Sequence, residues 1–178
     1  MILFDTTMLL LLMRPDIKAP IDKETGEPVE YAKERISALV EQLEKSCAKI
    51  IIPTPVLSEL LVKADKERES IVSTIQKNSV FRIIPFDTLA AIEVAEIASN
   101  AIKTTGNKRG NETGEWAKIK YDRQIIGIAK VNRATAIYTD DDNLINCANS
   151  NNIKTIRLKD ISLPDEFNQL SFFDEKNK

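Results

Sequence analysis

The chain has 178 residues, of which 43% are hydrophobic and 29% charged, and its formal net charge is −2. This length and balance predict a single globular domain with a substantial core. It contains two widely separated cysteines and no histidine. These counts exclude a disulfide framework and histidine-dependent triads, and they argue against a zinc site. Any catalysis must therefore rest on carboxylates, hydroxyls, lysines or a metal that prefers oxygen ligands.

The first thirteen residues, MILFDTTMLLLLM, are strongly apolar. No basic residue precedes the apolar run, Asp5 interrupts it, and no small-residue cleavage site follows. The segment is also too short to cross a bilayer. We therefore expect a buried core segment in a soluble, cytoplasmic protein without a membrane partner.

Positive charge is concentrated between Lys103 and Arg133, where eight basic and three acidic residues give a net charge of +5. A basic stretch beside an acidic remainder is compatible with a nucleic-acid track. The alternative is an ordinary solvated charged face.

Strands and helices alternate along the chain. Short apolar runs predict buried strands at MILF, AKIIIP, VFRIIP, ATAIYT and IKTIRL. Helical spacing predicts helices at TTMLLLLM, YAKERISALVEQLEKSC, TPVLSELLVKADKERESIVSTIQ, DTLAAIEVAEIASNAIK, WAKIKYDRQIIGIAKVN and DDNLINCANSN. Asp5 or Thr6, Thr54 and Asp87 are suitable N-caps. This alternation predicts an α/β fold in three α/β/α layers around a central, mostly parallel sheet.

No linker or repeat divides the sequence. We expect one domain over residues 1–170, with polar, glycine- or proline-bearing insertions near 14–30 and 103–117. Residues 171–178 are expected to form a disordered tail.

Acidic residues follow two of the predicted strands. Asp5 ends the first strand, and Asp140, Asp141 and Asp142 follow ATAIYT. Because sites in parallel α/β sheets form at the carboxyl ends of strands, these acids are candidates for one site. Asp5 alone could also be a simple helix cap, whereas three successive aspartates exceed what capping requires.

Asp122 shares the apolar face of its helix with Ile125, Ile126 and Ala129. A buried carboxylate must be compensated by an arginine or lysine, or by a metal. Both readings remain open from spacing alone. Glu59 lies off the leucine stripe of its own helix, so its spacing favours a surface position.

Three segments resemble the PIN-domain ribonucleases, in particular the VapC-type toxins of toxin–antitoxin pairs. They are ILFDTT, PTPVLSELL and YDRQIIGIAKVNRATAIYTDDDNL. The most specific part is the helix D-x-x-I-I-x-I-A followed by a strand and T-x-D. The resemblance implies a PIN-like fold with its four acids at Asp5, Glu59, Asp122 and Asp141, and with Asp140 as the alternative register for the last. The chain departs from the family in its length and in Thr7, where asparagine is common.

The resemblance implies divalent-metal-dependent hydrolysis of RNA. Asp5, Asp122 and Asp141 (or Asp140) would hold Mg²⁺ or Mn²⁺, which prefer oxygen ligands. Glu59 would bind the metal or orient a water, and Thr6 and Thr139 would support the ligands. A cation there would remove the repulsion among the acids and attract the phosphodiester.

Flanking phosphates are expected to contact Lys118, Lys120 and Arg123. For each of these residues, ordinary surface charge is the alternative reading. An antitoxin protein and a second copy of the chain are further partners that the resemblance implies.

Two rival functions remain. A non-catalytic PIN-like scaffold would bind RNA or protein without cutting. A haloacid-dehalogenase-like phosphatase also begins with an aspartate after its first strand, but it requires D-x-D where this chain has DTT.

Overall fold

A computed structural model describes residues 1–163 and residue 167. Within them, five short strands form one sheet in the order β3-β2-β1-β4-β5, and all four pairings are parallel. The strands are β1 (Ile2–Phe4), β2 (Ile50–Pro53), β3 (Phe81–Ile84), β4 (Ile137–Tyr138) and β5 (Thr155–Ile156). All five coincide with the apolar runs in the sequence, so the predicted strands are confirmed.

Helices connect the strands and cover the sheet. They are α1 (Thr6–Met13), α2 (Ala32–Lys45), α3 (Thr54–Ala64), α4 (Arg68–Lys77), α5 (Thr88–Thr105), α6 (Trp116–Val131) and α7 (Asp142–Ser150). Leu3 and Phe4 point to opposite faces of the sheet, yet neither is exposed to solvent. Both faces are therefore covered, and the predicted three-layer α/β/α architecture is confirmed.

The central strand β1 positions the candidate site. It pairs with β2 through Leu3 and Ile51 and with β4 through Leu3 and Ile137. From β1 the strand order runs through β2 to β3 on one side and through β4 to β5 on the other. The position between β1 and β4 is therefore a topological switch point. Ligands in open α/β sheets bind outside the carboxyl ends of the strands at such a point.

The predicted helix from Thr54 to Gln76 is wrong as a single element. It is interrupted at Asp65–Glu67 by a 3₁₀ turn, and the φ of Asp65 is positive, at 48°. The guanidinium of Arg14 binds the carbonyl oxygens of Lys63 and Ala64, which the break releases from helical bonding. The polar sequence DKE offers no core-facing side chain to hold a continuous helix.

The predicted cap Thr54 is also corrected. Pro53 occupies the N-cap position of α3, and the Thr54 hydroxyl instead accepts a hydrogen bond from the backbone N–H of Phe86. The caps Asp5 and Asp87 are confirmed, since their carboxylates accept hydrogen bonds from the N–H groups of Met8 and Ala90.

Two long loops reach the residues that follow β4, beside the switch point. Loop 14–31 joins α1 to α2 and contains one isolated antiparallel bridge between Ile21 and Pro28. Loop 106–115 joins α5 to α6. The tail predicted at 171–178 lies outside the described residues. Among the described helices, none combines the length and apolar character needed to span a membrane.

Candidate active site

A cavity of about 480 Å³ opens at the carboxyl ends of β1 and β4. Four acidic side chains line it, and each is delivered by a different part of the fold: Asp5 after β1, Glu59 from α3, Asp122 from α6 and Asp141 before α7. We call this space the acid cavity. The four acids that the resemblance singled out are therefore brought to one place.

Asp5 is buried at the floor of the acid cavity, with 6% of its surface exposed. One carboxylate oxygen accepts a hydrogen bond of 3.0 Å from the Met8 N–H, and the other accepts one from the Thr139 hydroxyl. Burial nevertheless dominates and raises the pKa of Asp5 to about 7. Asp5 is thus a carboxyl group that the fold orients firmly but holds at a cost to its charged form.

Asp122 projects from the apolar face of α6 and is only 5% exposed, as its spacing predicts. Its carboxylate makes no hydrogen bond or ion pair with any of the described residues. Burial, reinforced by the negative charge of Asp141, raises the pKa of Asp122 to about 7. Of the two compensations that the sequence left open, an arginine or lysine pair is not formed within the described part of the chain.

Glu59 is half-buried at the rim of the acid cavity, so the surface position favoured by its spacing is only partly right. Its carboxylate accepts hydrogen bonds from the Thr6 hydroxyl at 2.6 Å and from the Lys63 ammonium at 2.7 Å. Burial opposes the charged form, but these two donors outweigh it and lower the pKa of Glu59. Glu59 therefore stays ionised.

Asp141 caps α7 and faces the acid cavity. Its Oδ1 accepts a hydrogen bond from the Asn143 N–H at 2.9 Å, and its Oδ2 lies 2.7 Å from the ammonium of Lys118. That hydrogen bond raises the pKa of Lys118 above its usual value. The positive charge that compensates Asp141 is therefore a side chain of the protein, Lys118.

The three successive aspartates have three separate environments. Asp140 accepts a hydrogen bond from the Leu158 N–H, and its Oδ2 is buried without a partner among the described residues. Asp142 pairs with Arg157 and Lys23. Only Asp141 lines the acid cavity, which favours it over Asp140 as the fourth acid.

The basic residues predicted to bind RNA are placed differently from one another. Lys118 is exposed and lines the acid cavity. Lys120 is exposed on α6 but is not among the residues that line the cavity. Arg123 is a correction, because it is 1% exposed and cannot contact a nucleic acid in this fold. Its guanidinium binds Glu112 and the carbonyl oxygens of Lys108 and Arg109, so it anchors loop 106–115 instead.

Lys63 and Tyr121 are among the lining residues that were not predicted as members of the site. Lys63 pairs with Glu59, and their i, i+4 spacing on one helix is a signal that could have revealed it. Tyr121 also lines the acid cavity and donates its hydroxyl to the Pro55 carbonyl. This contact ties α6 to the start of α3, and no sequence pattern indicates it.

The donor set suits a hard divalent cation in its chemistry. All four acids offer oxygen, and Asp122 has no compensating partner among the described residues. Within that same part of the chain, however, no group of three or more acidic or cysteine side chains is already gathered for a metal ion. A cation loaded there would draw these side chains closer together, and Lys118 would compete with it for Asp141.

A comparison with models of known protein families identifies the family. The model of the PIN domain matches residues 29–149. The search of curated proteins gives no match.

Solved structures of similar fold include FitAB bound to an IR36 DNA fragment, with 20% sequence identity, 91% of this chain and 98% of that chain covered, and a TM-score of 0.57. DNA-bound VapBC from Salmonella typhimurium shows 17% identity, 89% and 99% coverage, and a TM-score of 0.54. VapBC2 from Rickettsia felis, bound to a promoter DNA fragment, shows 17% identity, 88% and 98% coverage, and a TM-score of 0.52. At these identities the structures show a shared fold.

With a family match over most of its length and the four acids in one cavity, the chain belongs to the PIN-domain family.

Proposed function

We propose that this protein is a divalent-metal-dependent endoribonuclease. The acid cavity is the observation that carries the proposal. Four carboxylates from four parts of the fold line it, and one of them, Asp122, makes no hydrogen bond or ion pair with the other described residues. Burial and neighbouring negative charge raise the pKa values of Asp5 and Asp122 to about 7. Strongly shifted carboxyl groups in a cleft are typical of functional sites.

Asp5, Asp122 and Asp141 are the residues that would hold Mg²⁺ or Mn²⁺. When bound, such an ion neutralises the acids, draws in phosphate oxygens and makes a coordinated water more acidic. Glu59 keeps its negative charge and would accept a proton from, or orient, the attacking water. Thr6 fixes Glu59 by donating its hydroxyl, and Thr139 does the same for Asp5.

Lys118 is the residue that would meet the phosphate. Its ammonium already lies in the acid cavity against Asp141, at the place where a phosphodiester anion would approach. Lys120, exposed two residues further along α6, would hold a neighbouring phosphate. The resemblance to PIN-domain ribonucleases favours RNA over DNA as the substrate.

The toxin of a toxin–antitoxin pair is the biological role we propose. Support comes from the resemblance to VapC-type toxins and from the shared fold with the FitAB and VapBC structures. The partner would be an antitoxin protein that covers the acid cavity. Pairing of two copies of this chain remains a prediction of the resemblance.

Cleavage of single-stranded RNA in the presence of Mg²⁺ or Mn²⁺ tests the activity. We expect Asp5→Asn and Asp122→Asn to abolish cleavage and Glu59→Gln to reduce it strongly. Glu96→Gln, at an exposed acid on α5, is the matched control and should leave cleavage unchanged. Undiminished cleavage by Asp122→Asn protein would overturn the assignment.

A non-catalytic scaffold that binds RNA or protein is the second candidate. The pairing of Asp141 with Lys118 and of Glu59 with Lys63 favours it, because two of the four acids already have cationic partners. Calorimetry with Mn²⁺ separates the two functions. The enzyme should bind the ion with loss of binding in Asp122→Asn, whereas the scaffold should show no such site.

A further inference from the structure

The two long loops meet across a second cavity beside the acid cavity. It measures about 610 Å³, and we call it the loop groove. One wall comes from loop 14–31, the other from loop 106–115, and the floor from α7 and the residues before it. Besides the three aspartates 140–142, its lining includes Pro20, Lys23, Thr113, Lys118, Asn143 and Asn146. A volume of this size is typical of ligand sites.

The loop groove is continuous with the acid cavity. Thr7, Lys118 and Asp141 line both spaces. An RNA strand with one phosphate at the four acids would therefore reach the loop groove with an adjacent nucleotide.

The wall formed by loop 14–31 is tied to the domain by ion pairs. Lys23 binds Asp142 at the start of α7. The loop residues on either side of Lys23 pair with Lys159, which lies just after β5: its ammonium is 3.3 Å from Asp22 and 2.5 Å from Glu24. These contacts hold the loop against the carboxyl end of β5, so this wall is formed before any ligand arrives.

Loop 106–115, which forms the other wall, is held in place by hydrogen bonds from α6. The buried guanidinium of Arg123 binds Glu112 at 2.8 Å and the carbonyl oxygen of Lys108 at 2.8 Å. At the groove itself, the Thr113 hydroxyl lies 3.5 Å from the Asn143 side chain. Preformed walls reduce the entropy lost when a flexible ligand binds.

Two of the three acids that line the loop groove are paired by the chain: Asp142 with Lys23 and Arg157, and Asp141 with Lys118. The third, Asp140, accepts a hydrogen bond from the Leu158 N–H with Oδ1, and its Oδ2 is buried without a partner among the described residues. What remains open to a ligand is neutral amide and hydroxyl chemistry, above all Asn146. This side chain is exposed on α7 and makes no hydrogen bond with the other described residues.

Neutral amides suit the edge of a nucleobase better than a phosphate. An asparagine side chain offers a donor and an acceptor side by side and can pair with matching base edges. In single-stranded RNA those edges are free of base pairing, which is where proteins read RNA sequence.

We propose that the loop groove binds the nucleobase next to the cleaved phosphate and that Asn146 selects that base. The proposal deepens the RNA cleavage proposed above and rests on it for the identity of the substrate. It assigns to loops 14–31 and 106–115 the task of forming a base-selective subsite.

A binding experiment tests the groove without requiring cleavage. Asp122→Asn protein in EDTA is titrated into fluorescent heptamers of A, C or U, and anisotropy gives the three affinities. We expect one homopolymer to bind at least fivefold more tightly than the others. Adding Asn146→Ala should remove that preference, while Asn149→Ala, an exposed asparagine on the same helix and outside the groove lining, should preserve it.

A cleavage experiment with the wild-type catalytic acids reports the same property at the cut site. Sequencing the ends produced from an RNA with a randomised centre should show a base preference beside the cut, lost in Asn146→Ala and kept in Asn149→Ala. If the wild-type protein cuts no RNA, the proposed function fails, and the anisotropy series still judges the groove. Equal affinities for all three heptamers, or a preference unchanged by Asn146→Ala, overturns the subsite and leaves the groove to a protein partner.

Discussion

The ammonium of Lys118 lies 2.7 Å from a carboxylate oxygen of Asp141, between α6 and the start of α7. Lys118 stands one helical turn before Asp122, so the same helix supplies both the cation and the buried acid of the cavity. The negative charges of Asp122 and Glu59 add to the effect of Asp141 in raising the pKa of Lys118. Lys118 is therefore a counter-ion that the chain supplies to the acid cavity, alongside Lys63 at Glu59.

Replacing this counter-ion should strengthen metal binding. In Lys118→Met, a positive charge a few ångströms from the acids is removed and Asp141 is released, so we expect the affinity for Mn²⁺ to rise by about tenfold. Calorimetry of the metal-free protein measures the change. Lys120→Met, which removes an exposed charge from the same helix, should leave the affinity within about twofold. An affinity that falls in Lys118→Met would show that Lys118 does not compete with the ion.

The raised pKa values of Asp5 and Asp122 predict a pH-dependent stability. A carboxyl group whose pKa is about 7 in the fold and 3.8 ordinarily binds its proton more tightly when folded. Its stabilising contribution is complete below about pH 4 and is lost as the pH rises through about 7. In EDTA, the melting temperature should therefore fall between about pH 5 and pH 8.

The Asp122→Asn change should remove part of that fall, because asparagine does not ionise. At about pH 8 we expect the variant to be more stable than the wild type by about 2 kcal/mol, with the difference shrinking towards about pH 5. Thermal melts at matched ionic strength measure it, and Glu96→Gln serves as the exposed control. Saturating Mn²⁺ should raise the melting temperature of the wild type at about pH 8 but not that of Asp122→Asn. A stability difference independent of pH would contradict the account.

The strand ends and the apolar face of α6 made much of the site predictable from sequence. Asp5 and the aspartates 140–142 follow apolar runs, and Asp122 sits among isoleucines at helical spacing, so local pattern indicated these acids. The choice of Asp141 from its cluster came from the family resemblance. Glu59 was less accessible, because its approach to Thr6 depends on how α3 packs against α1. Only the family resemblance indicated it.

Arg123 shows why charge on its own misleads. In sequence it belongs to the basic stretch, but Ile119 and Ile126 lie at i−4 and i+3 from it, so helical spacing puts it on the apolar side of α6. Its partner Glu112 lies in a loop whose path depends on tertiary packing, and the two meet only once loop 106–115 folds over α6. Trp116 then covers the pair, with its ring 5.7 Å from the guanidinium carbon.

Breaking that buried pair should be costly. In Arg123→Met, the Glu112 carboxylate is left largely buried without its cation, and we expect a loss of about 3–5 kcal/mol of unfolding free energy. Urea unfolding measures it, with Arg82→Met, an exposed arginine on β3, as the control. Changing both partners, in Arg123→Met with Glu112→Leu, should recover part of the loss. A double variant as unstable as the single one would place the cost in the carbonyl contacts of Arg123 rather than in the ion pair.

Gly127 sets how closely α6 approaches α5, and therefore where Asp122 lies. A Cβ atom at Gly127 would stand 2.9 Å from the Ala90 carbonyl oxygen and 2.9 Å from a methyl carbon of Val94. The carbonyl belongs to the helix backbone and cannot rotate away, so the helices would have to separate.

We expect Gly127→Ala to cost about 1–3 kcal/mol by overpacking, against an intrinsic helix preference for alanine of about 1 kcal/mol in the opposite direction. Urea unfolding should thus show a net loss, while Lys120→Ala on the exposed face of α6 should change stability by less than about 0.5 kcal/mol. Because Asp122 is carried by the displaced helix, the affinity for Mn²⁺ should fall together with stability. A stabilised Gly127→Ala protein would mean that α5 yields easily and that the helix contact does not fix the acid cavity.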